Sequence, residues 1–222
     1  HYHVADEKIV VIPRGVDLDL FDPMNTDQEF IDQFRHRYEL EEKYVVTSVG
    51  RITQLKDYAT FIRGVVQAKE KVANIAGLVV GGVRQDKKDY FASLQRLVQE
   101  LGAQDYIHFT DSQAKIPEIY ALSDVVVICS KKPESFGRTA AEALAMNVPV
   151  IATGHGGVLD IVQEGQTGSL FPPGDQEELA GAILGTCEVP FAGLRDFVTE
   201  NFTLNQMVEK TLGIYRTLIV CS

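Results

Sequence analysis

Two carboxylates and two cations stand out by type and position in this 222-residue chain. Glu134 and Glu142 enclose Ser135, Phe136, Gly137, Arg138 and Thr139, a turn that opens an alanine-rich stretch of helical composition. A helix carrying the second glutamate sets the pair along a ligand, not across one reacting bond, so they read as acceptors for ribose or sugar hydroxyls and not as a hydrolase's acid and base. The first turn of such a helix leaves the N–H groups near Gly137, Arg138 and Thr139 without intrahelical partners, free to hold phosphate oxygens, and Gly137 lacks the side chain that would block the approach. Arg51 and Lys56 follow a buried strand pattern directly, where two cations can neutralise a diphosphate as charge builds on it during bond cleavage. Each feature has a structural alternative: a cap for Glu134, a surface charge for Glu142, solvated side chains for the cations.

The remaining candidates carry less chemistry. Gly15 permits either close backbone approach to phosphate or a simple turn. His155, in Thr153-Gly154-His155-Gly156-Gly157, could contact donor phosphate or an acceptor, or be merely exposed. His1, His3, His36 and His108 lack the spacing of metal ligands, and Cys129, Cys187 and Cys221 lack that of a zinc site or a disulfide framework, so neither a metal nor a cofactor is expected and a reducing compartment fits. Gly81-Gly82 is not followed by a dinucleotide fingerprint, and no Walker-type lysine motif occurs.

These residues need elements to position them. Apolar runs at Val45 to Val49, Ile75 to Val80, Tyr106 to Phe109, Val125 to Ile128 and Val148 to Ala152 read as buried strands, and Lys8 to Pro13 contains a further β-branched run closed by proline. Helical stripes lie between them, over Glu29 to Tyr38, from Tyr58 to Val66, from Phe91 to Leu101, around Ile116 to Leu122 and over Gly137 to Met146, with a short helix at Val158 to Val162. Asp175 with Glu178 marks another helix start, and the chain is helical again after Pro190 and through Phe202 to Ile219. The alternation predicts a doubly wound, mostly parallel α/β sheet of about six strands, Rossmann-like and too small for a barrel. Ligands bind beyond the carboxyl ends of such strands, which puts Gly50-Arg51, Gly81-Gly82, Phe109 to Ser112, Ser130 to Gly137 and Thr153 to Gly157 on one working edge.

Composition narrows the function further. A formal charge of −10 without basic runs argues against a nucleic-acid partner. The longest apolar segments are strand-sized, short of the roughly 20 residues that span a bilayer.

Taken in order, VIPRGVDLDLFDP (11–23), VGRITQLKD (49–57), VVGG (79–82), IHFTD (107–111), the strip from IPEIYALSDVVVICS to ESFGRTAAEALAMNVPVIAT, and the GG, DIVQEGQTGSLFPPGD segment (156–175) make the chain resemble the C-terminal, donor-binding half of a GT-B glycosyltransferase of the large retaining group with a Glu-x7-Glu motif. The resemblance runs over nearly the whole chain. It implies that Arg51 and Lys56 grip the donor diphosphate, that Glu134 lies near the hydroxyls of the transferred sugar and Glu142 on the nucleotide ribose, and that Phe136, Gly137, Arg138 and Thr139 surround sugar and phosphate. Gly15 corresponds to the glycine of the usual Asn-Gly-Val-Asp turn. Gly50, Phe109 and Ser135 complete the donor-binding set. Arg14 stands where Asn is frequent, and Asp57, Asp111 and Ser135 stand where Gly is frequent.

The resemblance further implies a substrate, a nucleoside-diphosphate sugar, transferred with retention to the hydroxyl of a glycan or lipid-linked glycan in polysaccharide, lipopolysaccharide or glycoconjugate synthesis. The family's acceptor-binding N-terminal domain is not among these residues. The chain is therefore expected to form one donor-binding domain over 1–222, whose last helix, 203–220, braces that other half, and to bind donor while transferring poorly alone. A cytoplasmic location is implied, with membrane association only through the other half. Two further readings remain open on this scaffold: a nucleotide-sugar 2-epimerase and a non-catalytic binding module.

Overall fold

The structure, a computed structural model, describes residue 5 and residues 8–220. His1, His3 and Cys221 lie outside the described residues. Six strands, β1 (Tyr44–Val49), β2 (Ile75–Val80), β3 (Ile107–Phe109), β4 (Val125–Ile128), β5 (Val150–Thr153) and β6 (Gly168–Phe171), form one sheet in the order β3-β2-β1-β4-β5-β6. Every neighbouring pair is parallel. This is the doubly wound order, in which crossovers leave β1 in one direction and β4 in the other, opening a crevice between the carboxyl ends of those two strands.

Among the described residues eight α-helices accompany the sheet: α1 (Gln28–Arg37), α2 (Tyr58–Lys69), α3 (Lys88–Glu100), α4 (Ile116–Ala121), α5 (Arg138–Ala145), α6 (Gln176–Glu188), α7 (Leu194–Asn201) and α8 (Leu204–Val220). Successive strand residues point to opposite faces, and both faces are apolar. Val125, Val127 and Cys129 join Tyr58, Phe61, Val65, Leu94, Leu179 and Ile183 in a core under α2, α3 and α6. Val126 and Ile128 pack with Ala140, Ala141, Leu144 and Val198 under α5 and α7, while Val45, Leu78 and Val80 meet Ile31, Phe34 and Ile119 from α1 and α4. The alanines of α5 keep that helix close to the sheet, as their small volume requires. Asp175 caps α6, its carboxylate accepting from the N–H groups of Glu177 and Glu178 at 3.1 Å each.

Three readings of the sequence need correction. Residues 8–13 join no strand: Ile9, Val10 and Val11 are exposed, because the run has strand composition but no partner. The sixth strand is Gly168–Phe171 instead, an edge strand whose glycine and serine hide its type. The fifth strand starts at Val150, not Val148, and the short helix read over Val158 to Val162 is a 3-10 helix spanning Gly157–Asp160.

The segment before β1 is tied to the far end of the chain. Val16 N–H donates to Phe202 O at 2.8 Å and Leu204 N–H to Val16 O at 3.0 Å. Arg195 donates to the carbonyls of Phe21, Ala145 (2.7 Å) and Leu18 (2.9 Å), joining that segment, α5 and α7. A Cβ on Gly15 would lie 2.4 Å from the Thr203–Leu204 backbone, so close packing alone demands glycine there.

Candidate functional site

The loops after β1 and β4 face each other across the crevice. Lys56 ends a 3-10 turn, Gln54–Lys56, and its Nζ lies 2.5 Å from Glu134 Oε1, with the two side chains 28% and 26% exposed. Ser130 Oγ donates to the same oxygen at 2.6 Å, and Ser130 N–H donates to Thr153 Oγ1 at the end of β5. Burial would raise the Glu134 carboxyl, but the Lys56 and Ser130 hydrogen bonds and the Lys56 charge outweigh it, holding the group below the ordinary glutamate value of 4.5. Glu134 is an anion held in place, ready to accept from hydroxyl donors.

Around that pair, Arg51, Thr53, Leu55, Lys132 and Ser135 line a cleft of about 330 Å³. An adjoining hollow of about 230 Å³ is lined by Arg14, Glu134, Ser135, Phe136, Gly137 and Arg138. Gly137 caps α5 with φ 93°, a left-handed conformation suited to glycine, and its Cα faces Val158, 3.3 Å from where a Cβ would stand. Its carbonyl accepts from Ala140 at 2.9 Å, which starts the helix and aims the first-turn N–H groups out of it. Phe136 stands edge-on to Phe202, centroids 5.8 Å apart, tying the turn before α5 to the junction of α7 and α8.

Glu142 lies one turn further into α5. Its side chain is 14% exposed, with Oε2 accepting from the Tyr120 hydroxyl at 3.1 Å and Oε1 lying 3.2 Å from Arg138 Nε. Burial pushes this carboxyl above 4.5 against the opposing pull of Arg138 and Tyr120. Both glutamates thus contact a cation and both are partly desolvated, but the hydrogen bonds and charge of Lys56 outweigh burial at Glu134, whereas burial prevails at Glu142.

The structure brings Arg51, Lys56, Glu134 and Ser135 into one cleft, with Phe136, Gly137 and Arg138 beside it. Gly50 directly follows β1 and precedes Arg51, its carbonyl accepting from Tyr58 Oη at 2.6 Å and passing so near Gly81 that a Cβ there would stand 1.8 Å away. Phe109 is set apart: it ends β3, with β2 and β1 between it and β4, and its ring meets Phe91 edge-on at 5.1 Å. His155 Nε2 is buried and has no hydrogen-bond partner among the described residues.

Several contributors went unassigned in the sequence. Gly156 and Gly157 clamp the Glu134 turn: Gly157 N–H donates to Glu134 O at 2.7 Å, and a Cβ on either glycine would stand within 2.6 Å of the Glu134 or Ser135 carbonyl oxygen. Only the glycine doublet signalled this. Tyr120 hides within an apolar helical pattern, and Ser130 falls on the working edge with nothing in its spacing to mark a partner. Asp57 and Asp111, standing where glycine is frequent in the resembled family, have φ of 42° and 55°, the left-handed region that aspartate tolerates better than most residues. Among the described residues, no three metal-ligating side chains gather and no helix is long and apolar enough to cross a membrane.

A family model described as "Glycosyl transferases group 1" matches residues 30–190. The chain is 34% identical over 187 residues to a D-inositol 3-phosphate glycosyltransferase of Mycobacteroides abscessus, covering 82% of this chain and 40% of that protein. Among solved structures, a glycosyltransferase from Rickettsia africae superimposes with a TM-score of 0.91 at 30% identity, covering 100% of this chain and 60% of that one. An Anabaena protein solved in complex with UDP gives a TM-score of 0.88 at 25% identity, covering 96% and 58%. The chain thus spans about two-fifths of the length of the first curated relatives it matches.

Proposed function

Because the chain belongs to the glycosyl transferases group 1 family, we propose that it forms the nucleotide-sugar-binding half of a retaining glycosyltransferase, which moves a sugar from a nucleoside-diphosphate donor to a hydroxyl acceptor. The observation that carries this reading is the Lys56–Glu134 pair spanning the crevice between β1 and β4, beside the free first turn of α5. The Anabaena relative's complex with UDP supports a uridine or similar nucleotide as the donor's leaving group.

In this reading the diphosphate lies between Arg51, Lys56 and the N–H groups of Gly137, Arg138 and Thr139. As the glycosidic bond breaks, negative charge grows on the departing diphosphate, and these fixed donors stabilise it more than they stabilise the bound substrate. Glu134 accepts from hydroxyls of the transferred sugar, Ser135 and Phe136 flank it, and Glu142 accepts from the ribose. No metal or cofactor is required by this chemistry. The acceptor hydroxyl, on a glycan or lipid-linked glycan, is delivered by the acceptor-binding half that the family resemblance implies. The exposed stripe Leu204, Val208, Leu212, Tyr215 and Leu218 on α8 suits it to brace that half. The chain by itself binds donor and transfers poorly.

An NMR titration of the chain with UDP, GDP and ADP tests the reading. Shifts concentrated at residues 50–56 and 130–142 are expected for at least one nucleotide; shifts centred elsewhere would remove it.

A further inference from the structure

The β4–α5 loop carries two adjacent lysines that go opposite ways. Lys131 turns from the cleft and pairs with Asp57, which is 4% exposed, at 3.3 Å, while its N–H donates to Leu55 O at 2.9 Å. Lys132 lines the cleft with Arg51, Lys56 and Glu134. Both Arg51 and Lys132 are exposed, and among the described residues neither is ion-paired. Lys56 differs, because its charge is already matched by Glu134.

A sugar-linked diphosphate carries two negative charges. With Lys56 and Glu134 neutralising each other, Arg51 would balance one with a full charge and leave the other to the N–H dipoles at the start of α5 alone. We propose that Lys132 is a third cation of the diphosphate seat, supplying the charge that Lys56 spends on Glu134. The Lys131–Asp57 pair and the Lys131 N–H bond to Leu55 fix the loop across the crevice and thereby position Lys132. This rests on the donor-site reading above and adds a residue outside the motif that carries the family resemblance.

The test is calorimetric titration of UDP, GDP and ADP, with the corresponding monophosphates, into the wild-type chain, Lys132→Ala and Lys132→Arg at two salt concentrations. Lys132→Ala is expected to weaken the diphosphate about fivefold at low salt, with the loss shrinking as salt screens the charge, to weaken the monophosphate less, and to leave the melting temperature unchanged. Lys132→Arg should restore affinity. Unchanged diphosphate affinity in Lys132→Ala, or a loss that is equal for both phosphates and indifferent to salt, would overturn the assignment while leaving the donor site standing. Absence of nucleotide binding by the wild-type chain would instead remove the donor-site reading itself.

Discussion

At the scale of single residues, the two glutamates report opposite electrostatic histories. Glu134 has its carboxyl held below 4.5 by Lys56 and Ser130 against the cost of burial. A depressed folded value means that its stabilising contribution is present above 4.5 and is lost as pH falls through the folded value. Glu134→Gln should therefore be less stable than wild type by roughly 1 kcal/mol at neutral pH, with the difference closing in acid below 4.5. Thermal melts of both proteins across pH 3–7 check this, and a pH-independent difference would count against it. Glu142 runs the other way. Burial raises its carboxyl, so its favourable contribution belongs to acid and is lost as pH rises through the folded value. Glu142→Gln keeps an oxygen for the Tyr120 hydroxyl and should be no less stable than wild type at pH 7, yet bind nucleoside diphosphate about tenfold more weakly. A variant that loses stability but keeps affinity would make Glu142 a structural residue.

Elements decide whether those residues meet. The buried runs of β1, β2 and β4 were legible because both faces of a parallel sheet are covered, and the Asp175 cap and the α5 alanines named their helices. The carboxyl-edge clustering of Arg51, Lys56 and Glu134 followed from the alternation of strand and helix alone. What the sequence hid were contacts between segments distant along the chain: β6, whose Gly168 and Ser169 lack strand character; the Tyr120–Glu142 bond; and the glycine clamp on the Glu134 turn. The clamp gives a sharp contrast. Gly157→Ala would drive a Cβ to 2.4 Å from Ser135 O, so it should cost about 1–3 kcal/mol in urea denaturation and weaken nucleotide binding with it. Gly181→Ala in α6 meets open space, and should stabilise by roughly 0.5–1 kcal/mol with affinity unchanged. Equal effects at the two positions would mean that the loop adapts and the clamp does not set the site.

For the whole molecule, the net charge of −10 coexists with a cleft where Arg51, Lys56 and Lys132 gather around one carboxylate. A local positive cleft on an acidic surface suits the proposed small phosphate better than an extended polyanion, which the rest of the surface would repel. The second large-scale feature is α8, where Val208, Leu212, Tyr215 and Leu218 are 44%, 37%, 58% and 63% exposed. Leu212→Asp combined with Leu218→Asp should change stability by no more than about 0.5 kcal/mol and leave nucleotide affinity intact, because these side chains face away from the core; a large loss of melting temperature would show that the face is needed to fold the chain. The central claim is that the crevice between β1 and β4 seats a nucleoside diphosphate. It is tested most directly by calorimetry of UDP, GDP and ADP against the folded chain and its Arg51→Ala variant, whose exposed guanidinium is not ion-paired among the described residues. The expected result is one saturable site for at least one nucleotide, weakened about tenfold in Arg51→Ala at an unchanged melting temperature; a folded chain that gives no saturable heat with any of the three would contradict the account.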